Sequence, residues 1–106
     1  MATIRRKQSD TYPPIEATLE NKDGTAINLT GATVAFHTKR AGTVVTNAAA
    51  TVTDATGGEV SYTLVAADTA AAGEYEIEWE ITFSDGSTQS VPTDRNDILI
   101  VAPQIA

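Results

Sequence analysis

Residues 74 to 83 read Glu-Tyr-Glu-Ile-Glu-Trp-Glu-Ile-Thr-Phe. Tyr75, Ile77, Trp79, Ile81 and Phe83 alternate without a break against Glu74, Glu76, Glu78 and Glu80. Period two places the apolar set on one face of a strand, whereas a helical period of 3.6 would scatter it. That face has to be buried under a second layer. The opposite face becomes an acidic ladder whose neighbouring carboxylates stand about 7 Å apart. A slip of one residue would bury the glutamates instead, so the register is strongly specified.

Three further segments repeat the pattern more weakly. Ile15, Ala17 and Leu19 alternate with Glu16, Thr18 and Glu20; Ala32, Val34 and Phe36 with Thr33, Ala35 and His37; Val60, Tyr62 and Leu64 with Glu59, Ser61 and Thr63. Turn residues fall between them, and Asp-Ala-Thr-Gly-Gly (54–58) and Ser-Asp-Gly-Ser (84–87) have the chemistry of hairpin turns. Ile98, Leu99, Ile100 and Val101 form a run with no polar face, expected to be covered on both sides or paired with a partner chain. Ala-Ala-Asp-Thr-Ala-Ala-Ala-Gly (66–73) is the one helical candidate, with Asp68 as its N-cap and Gly73 closing it. A chain of 106 residues holds one core. The expected fold is an all-β, immunoglobulin-like antiparallel sandwich of about seven to eight strands with one short helical crossing. Its core should join the apolar face of residues 75–83 to Leu19, Leu29, Val34, Phe36, Tyr62 and Leu64.

Cysteine is absent, so neither disulfides nor thiolate metal sites are available. Arg5, Arg6 and Lys7 are three of seven cations, which leaves four against all fourteen acidic residues in the rest of the chain. Residues 1–9 therefore read as a basic N-terminal arm and residues 10–106 as an acidic sandwich domain. Such a body repels phosphate backbones and argues against nucleic acid as a partner. No apolar leader region and no run of about 18 apolar residues is present, so the chain reads as soluble and unexported, with no membrane partner.

No catalytic constellation emerges. The ladder Glu74, Glu76, Glu78 and Glu80 satisfies the spacing of paired carboxylates only nominally; a solvated acidic face or a contact for a basic partner fits it better. His37 is the single histidine and has no cysteine beside it, so no triad or transition-metal cluster can form around it. Asp94, Asn96 and Asp97 could offer oxygens to calcium, but their spacing matches no EF-hand loop and a polar turn is the plainer reading. No cofactor is expected. The candidate partner surfaces are Arg5, Arg6 and Lys7, which could order against an acidic neighbour, and Ile98 to Val101, a terminal strand expected at a sheet edge.

The order of motifs resembles a known family. Asp-Thr-Tyr-Pro-Pro-Ile-Glu-Ala-Thr-Leu (10–19), the Asp-Gly of residues 23–24 with Leu29-Thr30-Gly31-Ala32, and Gly73-x-Tyr75-x-x-Glu78-Trp79 are similar to the N-terminal immunoglobulin-like domain of phage baseplate upper proteins and to small phage virion structural proteins. The resemblance implies a non-enzymatic module of the tail, baseplate or fibre-attachment region. Its partners would be other virion structural proteins, in a homo-oligomer or symmetric array, assembled in the bacterial cytoplasm. Capsid decoration, a neck protein, or a free carbohydrate-binding or cell-surface module are the alternatives, the last requiring an exposed Trp79. Tyr75 has the placement of a tyrosine corner, although Asp68 lies seven residues upstream, farther than such a corner spans.

Overall fold

The computed structural model describes residues 3–92 and 97–105. They form nine strands: Thr3–Lys7 (β1), Ile15–Thr18 (β2), Thr33–Arg40 (β3), Thr43–Ala49 (β4), Thr51–Asp54 (β5), Glu59–Tyr62 (β6), Gly73–Thr82 (β7), Thr88–Val91 (β8) and Asp97–Ala102 (β9). The larger sheet runs β1-β9-β7-β3-β4, and β8 pairs with the remainder of β7. The smaller sheet is β2-β6-β5. The two pack as an all-β sandwich, as the alternating segments require. One pairing departs from the antiparallel expectation: β1 lies parallel to β9, with Ile4 opposite Leu99 and Arg6 opposite Val101.

Short-range chemistry explains the connections. Ala41 and Gly42 both have positive φ, 51° and 84°, which gives the β3–β4 hairpin a turn that matches the strand twist. Beyond β4 the Ala50 N–H donates to the Val34 carbonyl at 2.8 Å, and the chain then leaves the larger sheet to become β5 of the smaller one. At the β5–β6 hairpin Gly58 has φ 69°, and a Cβ there would lie 2.7 Å from the Leu19 oxygen and 2.9 Å from the Ile27 oxygen. Only glycine fits so close an approach of backbone. The β7–β8 turn is closed by Asp85, whose carboxylate accepts from the Ser87 hydroxyl and N–H; both bonds hold its pKa below the usual carboxylate value.

The expected helix over 66–73 shortens to one 3₁₀ turn, Ala66–Thr69. Asp68 is not its N-cap. Its buried side chain instead accepts the N–H of Val65, the residue before the turn.

Leu19, Leu29, Val34, Phe36, Tyr62, Leu64, Tyr75, Ile77, Trp79 and Ile81 are all buried, and Ile15, Val60, Leu99 and Val101 join them. Phe83, expected among them, is only partly buried, because it follows the end of β7 where the chain turns toward β8. The Phe36 ring stacks on Tyr62 at 4.4 Å and meets the Trp79 ring edge-on at 4.8 Å, so three aromatics couple β3 and β7 to β6 across the layers.

Residues 3–7 do not hang as an arm. The TIRRK segment alternates Ile4 and Arg6 inward with Thr3, Arg5 and Lys7 outward, and it forms the edge of the larger sheet. Consequently β9 is not an edge: β1 flanks it on one side and β7 on the other, which satisfies its backbone within the chain.

Candidate interaction surface

The sandwich interior carries one polar strut. Asp68 accepts the Thr46 hydroxyl at 2.8 Å on one oxygen, and the Tyr62 hydroxyl at 2.8 Å and the Val65 N–H at 2.9 Å on the other. Thr46 belongs to the larger sheet and Tyr62 to the smaller, so one carboxylate ties the two layers. Burial, reinforced by the hydrogen bond and charge of Asp68, pushes the Tyr62 phenol up to about 12. Tyr75 does form a tyrosine corner, because its hydroxyl donates to the Ala71 carbonyl four residues upstream. Nothing in the local sequence announces the strut except a lone acid in an alanine-rich stretch.

This rigid frame displays two different outer faces. On the smaller sheet Glu16, Thr18, Glu59, Ser61, Thr51 and Asp54 point outward, a polar and acidic surface. On the larger sheet the charges form stripes. Thr3, Arg5 and Lys7 are exposed on β1. Beside them Ile98, Ile100 and Ala102 of β9 are half-buried. Next come Glu74, Glu76, Glu78 and Glu80 of β7, of which the first two are exposed and the last two half-buried. On β3, Lys39 approaches Glu76 at 3.8 Å and the His37 ring approaches Glu78 at 3.5 Å. The far edge, β4, exposes Val44 and Val45.

The expected partner surface is thus divided by the fold. Leu99 and Val101 face the core and can touch no partner, while Ile98 and Ile100 lie on the outer face. Arg6 also turns away from the outer face: its guanidinium donates to the Arg5 and Pro13 carbonyls. Arg5, Lys7, Ile98 and Ile100 remain, adjacent to the acidic ladder. Cations on an edge strand also discourage indiscriminate sheet extension.

Other candidates thin out. Of the proposed calcium ligands, Asp94 and Asn96 lie outside the described residues, and Asp97 begins β9. Among the described residues no three His, Cys, Asp or Glu side chains converge to hold a metal ion. No helix among them is long and apolar enough to cross a membrane. Trp79 is 1% exposed and unavailable as a sugar platform; Tyr12, at 81%, is the exposed aromatic.

Comparison with known proteins gives three findings. The family model described as the BppU N-terminal domain matches residues 2–96. The structure is similar to the N-terminal domain of ORF48 of phage TP901-1, with a TM-score of 0.65 at 16% identity, covering 96% of this chain and 84% of that one. It is also similar to CopC from Methylosinus trichosporium OB3b, with a TM-score of 0.57 at 13% identity, covering 100% of this chain and 89% of that one. At such identities the two structural likenesses speak for the fold alone. No curated protein shows a significant sequence match.

Proposed function

We propose, since this chain belongs to the family of BppU N-terminal domains of phage baseplate upper proteins, that it is a structural module of the phage tail or baseplate which works by protein–protein contact and not by catalysis. The observation that carries this reading is the extent of the family match, which takes in both sheets from β1 to the residues before β9. The likeness to a phage domain over nearly the full chain supports it.

The geometry supports a contact role in its own terms. Among the described residues the interior is filled mainly by apolar side chains around the Asp68 strut, with Thr38 and Thr69 buried beside them, and the titratable groups His37, Lys39, Glu76 and Glu78 line a depression that opens to solvent. Chemical variety is instead laid out on flat sheet faces and edges, where a neighbouring subunit can read it. The partners under this reading are other virion structural proteins, and the place of action is the assembled particle.

The test is composition. Phage particles purified to constant density and digested for mass spectrometry should yield peptides of this chain at a fixed ratio to the other tail proteins. Their absence from infectious particles would remove the structural reading. Particles whose copies follow the capsid protein in tailless heads would move it to the capsid or neck.

A further inference from the structure

We infer that the outer face of β1, β9 and β7 is a self-complementary surface on which a second copy of this chain docks face to face about a two-fold axis running along β9. The inference does not depend on where the protein sits in a particle.

Arg5 lies opposite Ile100, and Ile100 lies opposite Glu74, so the three form one row across the sheet: cation, apolar residue, anion. The neighbouring strands stand about 4.8 Å from β9 on either side. Rotation by 180° about an axis parallel to β9 keeps height along the strand and exchanges left with right. It therefore sets Arg5 of one copy over Glu74 of the other, Ile100 over Ile100, and repeats the ion pair on the far side. An isologous contact requires such a patch, in which each half is the complement of the other.

Two observations favour a second copy as the occupant. Neither the Arg5 nor the Glu74 side chain has a hydrogen-bond or ion-pair partner among the described residues, whereas Glu76 and Glu78, farther along the ladder, are met by Lys39 and His37. Of the charges left over on these strands, which include Lys7 and Glu80, Arg5 and Glu74 are the two that share a row and that the rotation brings together. Ile98 and Ile100, the only non-polar row between two charged stripes, are left half-buried where a twin seam would cover them. The patch is three strands wide and about five residues long, roughly 15 by 17 Å or about 250 Å² per copy, which is below the size of a stable specific interface. The pairing is accordingly weak in dilute solution and is reinforced where copies are held side by side in an array.

Charge exchange is the test, because each copy carries −7 and added salt relieves that general repulsion while weakening the local pairs. Sedimentation equilibrium of the full chain should show a concentration-dependent dimer. Arg5→Glu alone and Glu74→Arg alone should each raise the dissociation constant about tenfold or more, since two pairs become two repulsions at once. Mixing the two variants should restore association as a heterodimer, and the double variant R5E/E74R should restore it as a homodimer. Both positions are exposed, and circular dichroism checks that each variant keeps its β signal. A monomer at all concentrations would overturn the proposal, leaving Arg5 as an edge guard. A dimer indifferent to the exchange would overturn it equally.

Discussion

Replacing Asp68 with alanine deletes the acceptor of three donors, the buried Thr46 and Tyr62 hydroxyls and the part-buried Val65 N–H. A hydrogen bond to a charged group contributes about 1.5–3 kcal/mol, and an orphaned buried donor costs about 1–3 kcal/mol. The carboxylate's own desolvation opposes its contribution by several kcal/mol, so the terms do not simply add. A net loss of about 3 kcal/mol is expected from a domain whose total stability is about 5–15 kcal/mol. Urea unfolding followed by the fluorescence of buried Trp79 measures it as a fall in the midpoint at constant slope. Tyr62→Phe should cost about 1 kcal/mol, and the double variant should cost less than the sum, with a coupling of about 1–2 kcal/mol. Asp68→Asn should fall between, since its amide accepts on one side only. A loss under about 1 kcal/mol for Asp68→Ala, with no coupling to Tyr62, would refute the strut.

Three further outcomes follow from the same frame. Trp79→Ala should cost about 3–5 kcal/mol while Glu78→Gln changes stability by under about 0.5 kcal/mol, and equal small effects in denaturation curves would contradict the register of β7. Because the Tyr62 phenol titrates at about 12 when folded and near 10 when unfolded, the unfolded chain loses that proton first; the stability advantage over Tyr62→Phe should stay level below pH 10 and shrink as pH rises toward 12, as read from unfolding at each pH. Deleting residues 1–7 bares the side of β9 that faces β1, so amide exchange at Ile100 and Ala102, whose backbone groups point that way, should accelerate and the thermal midpoint should drop.

The strands with period-two alternation were legible from residues alone: β2 and β6 lie within the segments that the pattern marked, β3 runs three residues beyond its segment and β7 begins one residue before its own, and both marked hairpins are present. What escaped was long-range or locally disguised. Three consecutive cations made Thr3–Lys7 read as a solvated arm, although Ile4 and Arg6 alternate inward; the parallel pairing that recruits them comes from β9, at the other end of the chain. Thr43–Ala49 shows no alternation because a bulge at Thr38/Lys39 interrupts its pairing with β3, and its end crosses between sheets. Asp68 had the sequence position of a helix cap, and its pairing with Tyr62 and Thr46 depends on both sheets having closed. The candidate surface was legible in parts: Arg5, Lys7, Ile98, Ile100 and the glutamates were marked, but their arrangement in adjacent stripes is a property of strand order that no local pattern encodes.

A chain built into the phage tail or baseplate has to be found on intact particles. The most direct measurement is electron microscopy of whole particles in which this chain carries a small gold-binding tag at its C-terminus. Label should cluster at the tail end of intact particles, at constant number per particle. Label confined to the unassembled protein of the lysate, with intact particles bare, would contradict it.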